Sequence, residues 1–595
     1  MSLADTLVEN QRVASVLSAA LTSLGEAHVV VSPGSRSTPL ALAFERVASD
    51  RLHVVLDERA AAFLALGIAR ATGRPAIVLA TSGSAGANHY PAVVEANVGR
   101  VPLVLVTANR PGELQDCGAP QTMPQRTLFG EHVRASIALP EPAPEVASTW
   151  LRNTALRALA LATGSPAGPV HLDVPFREPL YDPDAEAPVV PEVAQATFER
   201  GELHLQRSAI ARLADALLSE KSGAIVCGPW APATVSPETV APAVAELANE
   251  LGWPIVADVT SGLRFGPHAR DNVLSATGAL LSDPDLAHAL RVRRCLAFGQ
   301  PPTLKSVGRF VASHRDSLTL VNPDTLWLDG GGNAASLLIA EPAPLCRDLA
   351  TEVRRRREGG TSEGDERARR TVRWRKADAA ASAVLARHAS EGSWEGRVVH
   401  ELVRSVSPGT RLHVASSMPI RDLDVFAGSG DRRLSITSNR GVNGIDGTIA
   451  TALGIAVASA SPTVALLGDL AFLHDLDGLE AASTVARESG ARLALVVVDN
   501  GGGGIFGELP IGRHPSAFER LFLTPRPGDL VGVARALGAR TARVEAADIG
   551  AALAEALGQD GVSVLHVTID RAESSRRRKA ATLDAAERAR AEMFR

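Results

Sequence analysis

Two apolar segments, each ending in an oxygen-bearing side chain, constrain the fold of this chain more than any other feature. The first ends in Gly468 and Asp469, and the second ends in Asp499 and Asn500 just before four glycines. An amphipathic helical pattern lies between them, which predicts a strand–helix–strand unit of a parallel sheet. Ligands bind at the carboxyl ends of such strands. Because Mg²⁺ combines a few protein oxygens with phosphate oxygens, we expect a metal and phosphate site here. The alternative is an ordinary βαβ unit with a polar turn at each strand end.

Composition excludes several classes of protein. A net charge of −5 over 595 residues argues against nonspecific nucleic-acid binding. No apolar run reaches the roughly 18–20 residues of a membrane span, and the N-terminus lacks the basic start of a signal peptide. The four cysteines show no paired or metal-binding spacing, which favours a reducing cytoplasm. We therefore predict a cytoplasmic globular protein of several domains.

The hydrophobic pattern divides the chain into three α/β parts. Short apolar segments alternate with helical patterns at the two ends of the chain and again between them, as in parallel sheets covered on both faces. The middle part has no GxGxxG after a strand, so no dinucleotide site is indicated. The predicted fold class is α/β with three doubly wound parallel-sheet domains. The predicted boundaries are 1–190, 200–353, a charged linker with a connecting helix at 354–394, and 395–595.

Six motifs carry a resemblance to a known family: SPGSRSTPLALA (32–43), DERAAAFLALGIARATG (57–73), ATSGSAGANHYPAVVEA (80–96), TANRPGELQDCGAPQT (107–122), SNRGVNGIDGTIATALGIA (438–456) and GDLAFLHDL (468–476). Over nearly its whole length the chain resembles the 2-succinyl-5-enolpyruvyl-6-hydroxy-3-cyclohexene-1-carboxylate (SEPHCHC) synthases. These are thiamine-diphosphate (ThDP) enzymes of menaquinone biosynthesis. ThDP enzymes usually have GDG and NN where this chain has GDL and DN, but SPGSRSTPL and NRPGEL distinguish this family from its relatives.

The resemblance implies a pyrimidine-binding, a middle and a diphosphate-binding domain, and a catalytic role for Glu58. A carboxylic acid against the aminopyrimidine ring favours the imino tautomer that activates ThDP. The alternative is a helix N-terminal acid favoured by the macrodipole. In the family this glutamate reaches a cofactor held mainly by the partner subunit, which implies a homodimer or homotetramer with active sites between subunits.

The remaining cofactor positions also follow from the resemblance. Mg²⁺ or Mn²⁺ would be bound by Asp469, Asn500 and the Gly502 carbonyl, with Asp499 as the alternative carboxylate. Ile445 matches the residue that wedges between the two cofactor rings. The alternative is a core residue, and the glycines around Ile445 favour the wedge. The full set of expected ThDP contacts is Glu58, Thr81, Ser82, Gly83, Ser417, Gly444, Ile445, Gly468, Asp469, Leu470, Asn500, Gly502 and Ile505.

The substrate side is expected to be basic, because 2-oxoglutarate and isochorismate each carry two carboxylates and arginine binds such groups with a two-pronged fork. Any single arginine is more often a surface residue, so these assignments depend on the resemblance. The implied substrate contacts are Ser35, Arg36, Arg110, Gln121, Lys305, Ser417, Arg421, Arg440, Ile505 and Phe506. Pro120 and Ser306 depart from some relatives, which leaves the contacts around them open.

The implied reaction is decarboxylation of 2-oxoglutarate and conjugate addition of the resulting ThDP-bound carbanion to isochorismate. Two alternatives stay open at this stage. One is another ThDP-dependent 2-oxo-acid decarboxylase or acetolactate-synthase-like carboligase, which would turn over pyruvate. The other is a catalytically silent nucleotide-binding protein on the same fold, which fold alone does not exclude. The sequence leaves the choice between dimer and tetramer open.

Overall fold

Three parallel β-sheets follow one another along the chain, and each is covered by helices. The computed structural model describes residues 2–184, 201–232, 235–357, 364–459, 461–526 and 528–594, with backbone only at 364–368. Each sheet contains six strands, and all of the neighbouring strands are parallel. The predicted α/β fold with three doubly wound parallel sheets is therefore confirmed.

The first sheet is built from short, apolar and mostly buried strands, as expected for strands covered on both faces. Its strands are β1 Val29–Val31, β2 Leu52–Val54, β3 Ala76–Ala80, β4 Leu103–Asn109, β5 Ala135–Ala138 and β6 Pro169–Pro175. The helices are α1 Leu3–Thr22, α2 Thr38–Ala48, α3 Glu58–Thr72, α4 Ser84–Asn88, α5 Tyr90–Gly99 and α6 Ser148–Thr163.

The middle sheet has the strand order β12-β11-β10-β7-β8-β9. Its strands are β7 Gly223–Cys227, β8 Ile255–Ala257, β9 Val273–Leu274, β10 Arg294–Phe298, β11 Leu318–Asn322 and β12 Ala334–Ile339. The helices are α7 Arg207–Leu218, α8 Pro237–Leu251, α9 Thr277–Leu280, α10 Pro284–Ala289, α11 Lys305–Ala312 and α12 Pro342–Arg357. This is the order of dinucleotide-binding folds, but without the glycine fingerprint the order alone indicates no ligand.

The third sheet lies in the C-terminal part of the chain. Its strands are β13 Arg411–Val414, β14 Ser435–Thr437, β15 Thr463–Gly468, β16 Arg492–Asp499, β17 Arg540–Arg543 and β18 Gly561–Thr568. The helices are α13 Gly364–Ala389, α14 Glu395–Ser405, α15 Met418–Phe426, α16 Thr448–Ser459, α17 Asp469–His474, α18 Leu476–Glu488, α19 Pro515–Phe518, α20 Leu530–Ala536, α21 Ile549–Leu557 and α22 Arg571–Met593.

The first and third sheets share one topology. Their strand orders are β2-β1-β3-β4-β6-β5 and β14-β13-β15-β16-β18-β17, which are the same arrangement counted from the first strand of each. The order reverses between β1 and β3 in one sheet and between β13 and β15 in the other. Ligands of open α/β sheets bind at such switch points. Each outer sheet therefore offers one binding edge.

Helix α3 of the first part packs against α16 of the third part in the same chain. The close approach requires glycine on both helices. A Cβ at Gly67 would lie 2.1 Å from the Thr451 carbonyl oxygen, and one at Gly454 would lie 2.1 Å from the Leu64 carbonyl oxygen. Residues of both parts consequently share one buried apolar cluster, which fixes the two outer sheets relative to each other.

The predicted domain boundaries stay a prediction. The predicted break at 190–200 lies outside the described residues. Of the predicted linker at 354–394, helix α12 covers the start and α13 most of the rest, while residues 358–363 are outside the description. Within the described part of the chain, no helix combines the length and apolar character needed to cross a membrane.

Candidate active site

The predicted metal positions lie at the ends of two neighbouring strands. Strands β15 and β16 are paired, with Gly468 opposite Val498. Asp469 begins α17 directly after β15, and Asn500 follows the last residue of β16. The two residues are therefore held at the same edge of the third sheet. Asp469 follows a switch-point strand, as ligand-binding residues do in open sheets.

Asp469 is a buried carboxylate whose partners are backbone N–H groups. Its Oδ1 accepts the Leu470 N–H at 2.9 Å, and the side chain is 8% exposed. Burial and the nearby Asp499 carboxylate raise the pKa of Asp469 to about 6, against the lowering effect of the Leu470 and Gly502 N–H groups. Asp469 and Gly502 are thus in contact, and the electrostatic strain is of the kind that a bound cation relieves.

Asn500 has one engaged and one unengaged side-chain atom. Its Nδ2 donates to Glu395 Oε1 at 3.1 Å, whereas its buried Oδ1 has no hydrogen-bond partner among the described residues. Asp499 differs, because its Oδ2 lies 2.9 Å from His566 Nε2 and its Oδ1 accepts the Gly501 N–H at 3.1 Å. Of the two neighbours, Asn500 is the one with a free oxygen.

The glycines after Asn500 form a tight loop, and Gly502 is the position in it that has no room for a side chain. Gly502 has φ +128°, and a Cβ there would lie 2.2 Å from the Leu523 carbonyl oxygen. The Gly503 N–H donates to that same oxygen at 2.8 Å. The Gly502 carbonyl accepts the Gly504 N–H at 2.8 Å and retains a second lone pair for another partner.

At the first sheet, the loop Thr81–Ser82–Gly83 follows switch-point strand β3, and all three of its residues are buried. The Thr81 Oγ1 accepts the Arg36 N–H at 3.1 Å, which joins this loop to the one after β1. The Gly83 N–H donates to Gln125 Oε1 at 2.9 Å. The predicted pyrimidine loop is therefore held from both sides.

Glu58 is the first residue of α3, which is capped by Asp57 through the Ala60 N–H at 2.8 Å. The Glu58 side chain is half-buried and accepts a hydrogen bond from Asn88 Nδ2 at 3.0 Å. Its neighbour Arg59 donates to the His474 carbonyl and to Asp477 in the third part of the same chain. Apolar residues Val54 and Leu56, just before Glu58, are 53% and 73% exposed.

Three predicted substrate residues of the first part lie together around Glu178. Arg36 is 3% exposed, and its Nη2 donates to Glu178 Oε1 at 2.8 Å while Nη1 donates to the Phe176 carbonyl at 2.9 Å. Arg110 Nη1 is 3.8 Å from the same Glu178 oxygen, and its Nη2 donates to Gln121 Oε1 at 3.3 Å. Ser35 is exposed beside this group.

A second group surrounds the loop after β13. Ser417 has φ +77° and precedes α15, and Arg421 Nη1 donates to its carbonyl oxygen. Burial lowers the pKa of Arg421 and of Arg440, and Arg440 Nη1 has no partner among the described residues. Lys305, at the start of α11, is exposed. Two partly desolvated guanidinium groups are a suitable receptor for a carboxylate.

The predicted apolar contacts are half-buried, and Ile445 packs against the apolar cluster of the first and third parts. Ile445 lies in the loop before α16 after the half-buried Gly444, and its carbonyl accepts the Thr448 hydroxyl at 3.0 Å. Ile505 and Phe506 lie in the 3₁₀ turn Gly504–Glu508. Phe506 meets the Phe522 ring edge-on at 5.5 Å between centroids. All three side chains present apolar surface near the strand-end loops.

The residues present fit a diphosphate-bound cation. The free Oδ1 of Asn500, the strained carboxylate of Asp469 and the glycine cradle offer the hard oxygen donors that Mg²⁺ takes. Within the described ranges, no three His, Cys, Asp or Glu side chains form a possible metal cluster. The predicted donor set, which stays a prediction, contains one carboxylate, one amide and one carbonyl oxygen.

Comparison with known proteins agrees with this geometry. Residues 11–129 match the family described as "Thiamine pyrophosphate enzyme, N-terminal TPP binding domain", and residues 429–567 match its C-terminal TPP binding domain. A 2-succinyl-5-enolpyruvyl-6-hydroxy-3-cyclohexene-1-carboxylate synthase of Geobacillus kaustophilus (strain HTA426) is 39% identical over 572 residues, covering 93% of this chain and 94% of that protein. This chain belongs to the SEPHCHC synthase family.

Other SEPHCHC synthases are similarly close. The enzyme of Chloroflexus aurantiacus is 40% identical, and the match covers 86% of this chain and 86% of that protein. The enzyme of Halorubrum lacusprofundi is 37% identical, and the match covers 94% of this chain and 95% of that protein. A solved benzoylformate decarboxylase from Polynucleobacter necessarius superposes with TM-score 0.70 at 18% identity, covering 94% of this chain and 98% of that chain. At that identity the structural likeness shows the shared fold alone.

Two departures from some SEPHCHC synthases have different surroundings here. Pro120 is exposed beside Gln121, which has φ +54°. Ser306 is buried, and its hydroxyl donates to the Gly278 carbonyl at 3.4 Å within the middle part.

Three residues that contact the predicted site were missed by the sequence reasoning: Gln125, Glu178 and Glu395. Gln125 joins the Gly83 loop to the buried Asp173, Glu178 pairs with Arg36, and Glu395 accepts from Asn500. Each is a polar residue that contacts a predicted site residue distant in sequence. No local pattern marks such a residue, because its role arises only when strands and helices come together.

Proposed function

We propose that this chain converts 2-oxoglutarate and isochorismate to 2-succinyl-5-enolpyruvyl-6-hydroxy-3-cyclohexene-1-carboxylate and CO₂ in menaquinone biosynthesis. One observation carries the proposal: the identity of 39% to a SEPHCHC synthase extends over 93% of this chain. It therefore includes the first, middle and third sheets rather than the cofactor-binding domains alone.

The cofactor is thiamine diphosphate, in keeping with the two matched ThDP-binding domains. When bound, ThDP supplies the electron sink that decarboxylation of a 2-oxo acid requires. Asp469, Asn500 and the Gly502 carbonyl would hold Mg²⁺ or Mn²⁺ against the diphosphate. Their support is the unpartnered Oδ1 of Asn500 and the contact between Asp469 and the Gly502 N–H.

Glu58 is proposed as the acid that holds a proton against the pyrimidine ring. In the described part of a single chain, its hydrogen bond is with Asn88 and none joins it to Asp469 or Asn500. We therefore assign Glu58 to the cofactor bound by a second copy, so the active unit is at least a dimer. The exposed Val54 and Leu56 beside it are apolar surface that such a partner would cover.

The chain's other groups bind and orient the substrates. Arg36, Arg110 and Gln121 form one anion receptor with Ser35, and Arg421 and Arg440 form another with Ser417 and Lys305. Two receptors suit a reaction that joins two dicarboxylates, because each fork orients one carboxylate and thereby the reacting carbon. Ile445 would contact the cofactor, and Ile505 and Phe506 would exclude water from the reacting centre.

The remaining alternatives are weaker. An acetolactate-synthase-like enzyme does not require a receptor of several arginines, since pyruvate carries one carboxylate. A silent nucleotide-binding protein has no need for Glu58 at the start of α3 or for a free amide oxygen at Asn500. The proposed location is the cytoplasm, in keeping with cysteines that are all free thiols, three of them buried.

Purified protein incubated with ThDP, Mg²⁺, 2-oxoglutarate and isochorismate tests the proposal. Mass spectrometry should detect the product and its formation should require both substrates. Calorimetric titration of ThDP with and without Mg²⁺ should show tighter binding with the cation, and light scattering should give a dimer or a larger oligomer. A ThDP-binding protein that forms no product from this pair would contradict the proposed substrates while leaving the cofactor assignment intact.

A further inference from the structure

Behind Asn500 lies a buried group of charged residues that the predicted site does not include. It consists of Glu395 on α14, Asp422 on α15, and Arg578 on the C-terminal helix α22. Their side chains are 9%, 2% and 17% exposed. Burying charged groups costs free energy unless they are paired and hydrogen-bonded. Because this charged group lies next to a proposed metal ligand, we ask what it does for that ligand.

Glu395 determines which end of the Asn500 amide faces it. Its Oε1 lies 3.1 Å from Asn500 Nδ2. A carboxylate only accepts hydrogen bonds, and of the two ends of an amide only the NH₂ group donates. The contact therefore turns Nδ2 towards Glu395 and leaves Oδ1, which has no partner among the described residues, on the other side.

Helix α22 holds Glu395 in place. Arg578 binds Asp422 with two hydrogen bonds of 2.6 and 3.0 Å, and its Nη2 lies 3.4 Å from Glu395 Oε2. The Glu395 N–H donates to Ser574 Oγ at 3.2 Å. Arg571 of the same helix donates to the Asn500 and Gly501 carbonyls at 3.3 and 3.4 Å. One helix thus fixes both the backbone of the strand-end loop and the group behind its side chain.

The contact between Glu395 and residue 500 explains why that position has an amide side chain rather than a carboxylate. A second carboxylate there would stand about 3 Å from Glu395 without a proton between them, and like charges at that distance repel strongly. A small cavity, lined by Glu395, Met418, Asp422, Gly468 and Asn500 among others, lies beside this group at the strand ends.

We propose that Glu395, held by Arg578, is a positioning residue that orients the Asn500 amide so that Oδ1 faces the diphosphate-bound cation. The inference rests on the proposed metal role of Asn500. Residues that orient a metal ligand affect metal affinity by about 10–100-fold. The effect should therefore appear in cation binding itself, independently of turnover.

The test measures Mn²⁺ binding by electron paramagnetic resonance in the full-length protein saturated with ThDP. Glu395→Leu removes the acceptor and should weaken Mn²⁺ binding about tenfold or more, whereas Glu395→Gln keeps an acceptor oxygen of the same shape and should stay within about threefold of wild type. Asp378→Asn is the matched control, because Asp378 is a buried helical carboxylate that accepts the N–H groups of Ser275 and Ala276 in the middle part of the chain.

The outcomes separate this inference from the proposed function. Wild-type Mn²⁺ affinity in Glu395→Leu, together with a loss in Asn500→Ala, would overturn the positioning role and leave the metal site standing. Unchanged affinity in Asn500→Ala would overturn the metal role itself.

A second pair of variants decides the matter if Glu395→Leu does not fold. Asn500→Asp should weaken Mn²⁺ binding. Adding Glu395→Gln to that variant should raise its Mn²⁺ affinity by about tenfold or more, because the glutamine amide can donate a hydrogen bond to the new carboxylate. Equal effects of Asn500→Asp with and without Glu395→Gln would overturn the proposal.

Discussion

Arg36 and Glu178 form an ion pair of 2.8 Å in which the arginine is almost wholly buried and the glutamate side chain is 70% exposed. The pair brings the loop after β1 together with the chain that leaves β6. Arg110 approaches the same Glu178 oxygen. A carboxylate of the chain itself thus lies next to the two arginines that are proposed to bind substrate carboxylates.

Replacing Arg36 by Ala should raise the KM of at least one dicarboxylate substrate by about tenfold or more, because a charge-assisted fork is lost. ThDP affinity should change little, since the contact of residue 36 with Thr81 is made by its backbone N–H. Steady-state kinetics and calorimetry measure the two quantities. Arg46→Ala, an exposed arginine on the helix α2 that follows this loop, is the control. Unchanged KM values for both substrates would exclude Arg36 from the receptor.

Two adjacent glycines should differ sharply in their tolerance of alanine. A Cβ at Gly502 would lie 2.2 Å from the Leu523 carbonyl oxygen, whereas one at Gly501 would come no closer than 3.7 Å to Arg571. Gly502→Ala should abolish Mg²⁺-dependent ThDP binding. Gly501→Ala, with φ +76°, should cost only about 1–2 kcal/mol of conformational free energy and keep binding. Calorimetric titration of both variants checks this, and equal binding would contradict the assigned loop geometry.

The buried carboxylate of Asp475, which contacts the start of helix α16, should make the free energy of unfolding depend on pH. Asp475 accepts the Ile449 and Ala450 N–H groups at 2.6 and 3.0 Å, and burial raises its pKa from 3.8 to about 7. The folded state therefore binds the proton more tightly than the unfolded state, so this group lowers the free energy of unfolding as pH rises from about 4 to about 7.

The side chain of Asp475→Asn cannot titrate. The melting temperature of the variant minus that of wild type should therefore increase as pH rises through that interval and stay constant above it. Differential scanning calorimetry at a series of pH values measures the difference. Asp560→Asn, at an exposed turn, is the control. Parallel pH curves for Asp475→Asn and wild type would show that Asp475 does not carry the effect.

Glu58→Gln should reduce kcat by about a hundredfold or more, because the amide cannot exchange a proton with the pyrimidine ring. ThDP affinity should remain close to wild type, since the shape of the side chain is kept. Glu45→Gln, exposed on α2, is the matched control. Turnover equal to wild type would refute the catalytic assignment of Glu58.

Much of the fold was predictable because parallel strands buried on both faces leave continuous apolar segments. Asp469 and Asn500 were found because each follows such a segment directly, and the helix beginning at Glu58 is confirmed for the same local reason. Glu178 and Glu395 were not predictable. Each acquires its partner from an element more than a hundred residues away, and the relative placement of sheets and helices leaves no trace in local periodicity.

The central claim is tested most directly by comparing substrates with one preparation of the ThDP- and Mg²⁺-loaded protein. The measurement is CO₂ release and product mass with 2-oxoglutarate plus isochorismate, and with pyruvate alone. We expect CO₂ and the SEPHCHC product in equal amounts from the first mixture and neither CO₂ nor a carboligation product from pyruvate. Turnover of pyruvate without turnover of 2-oxoglutarate and isochorismate would contradict the account.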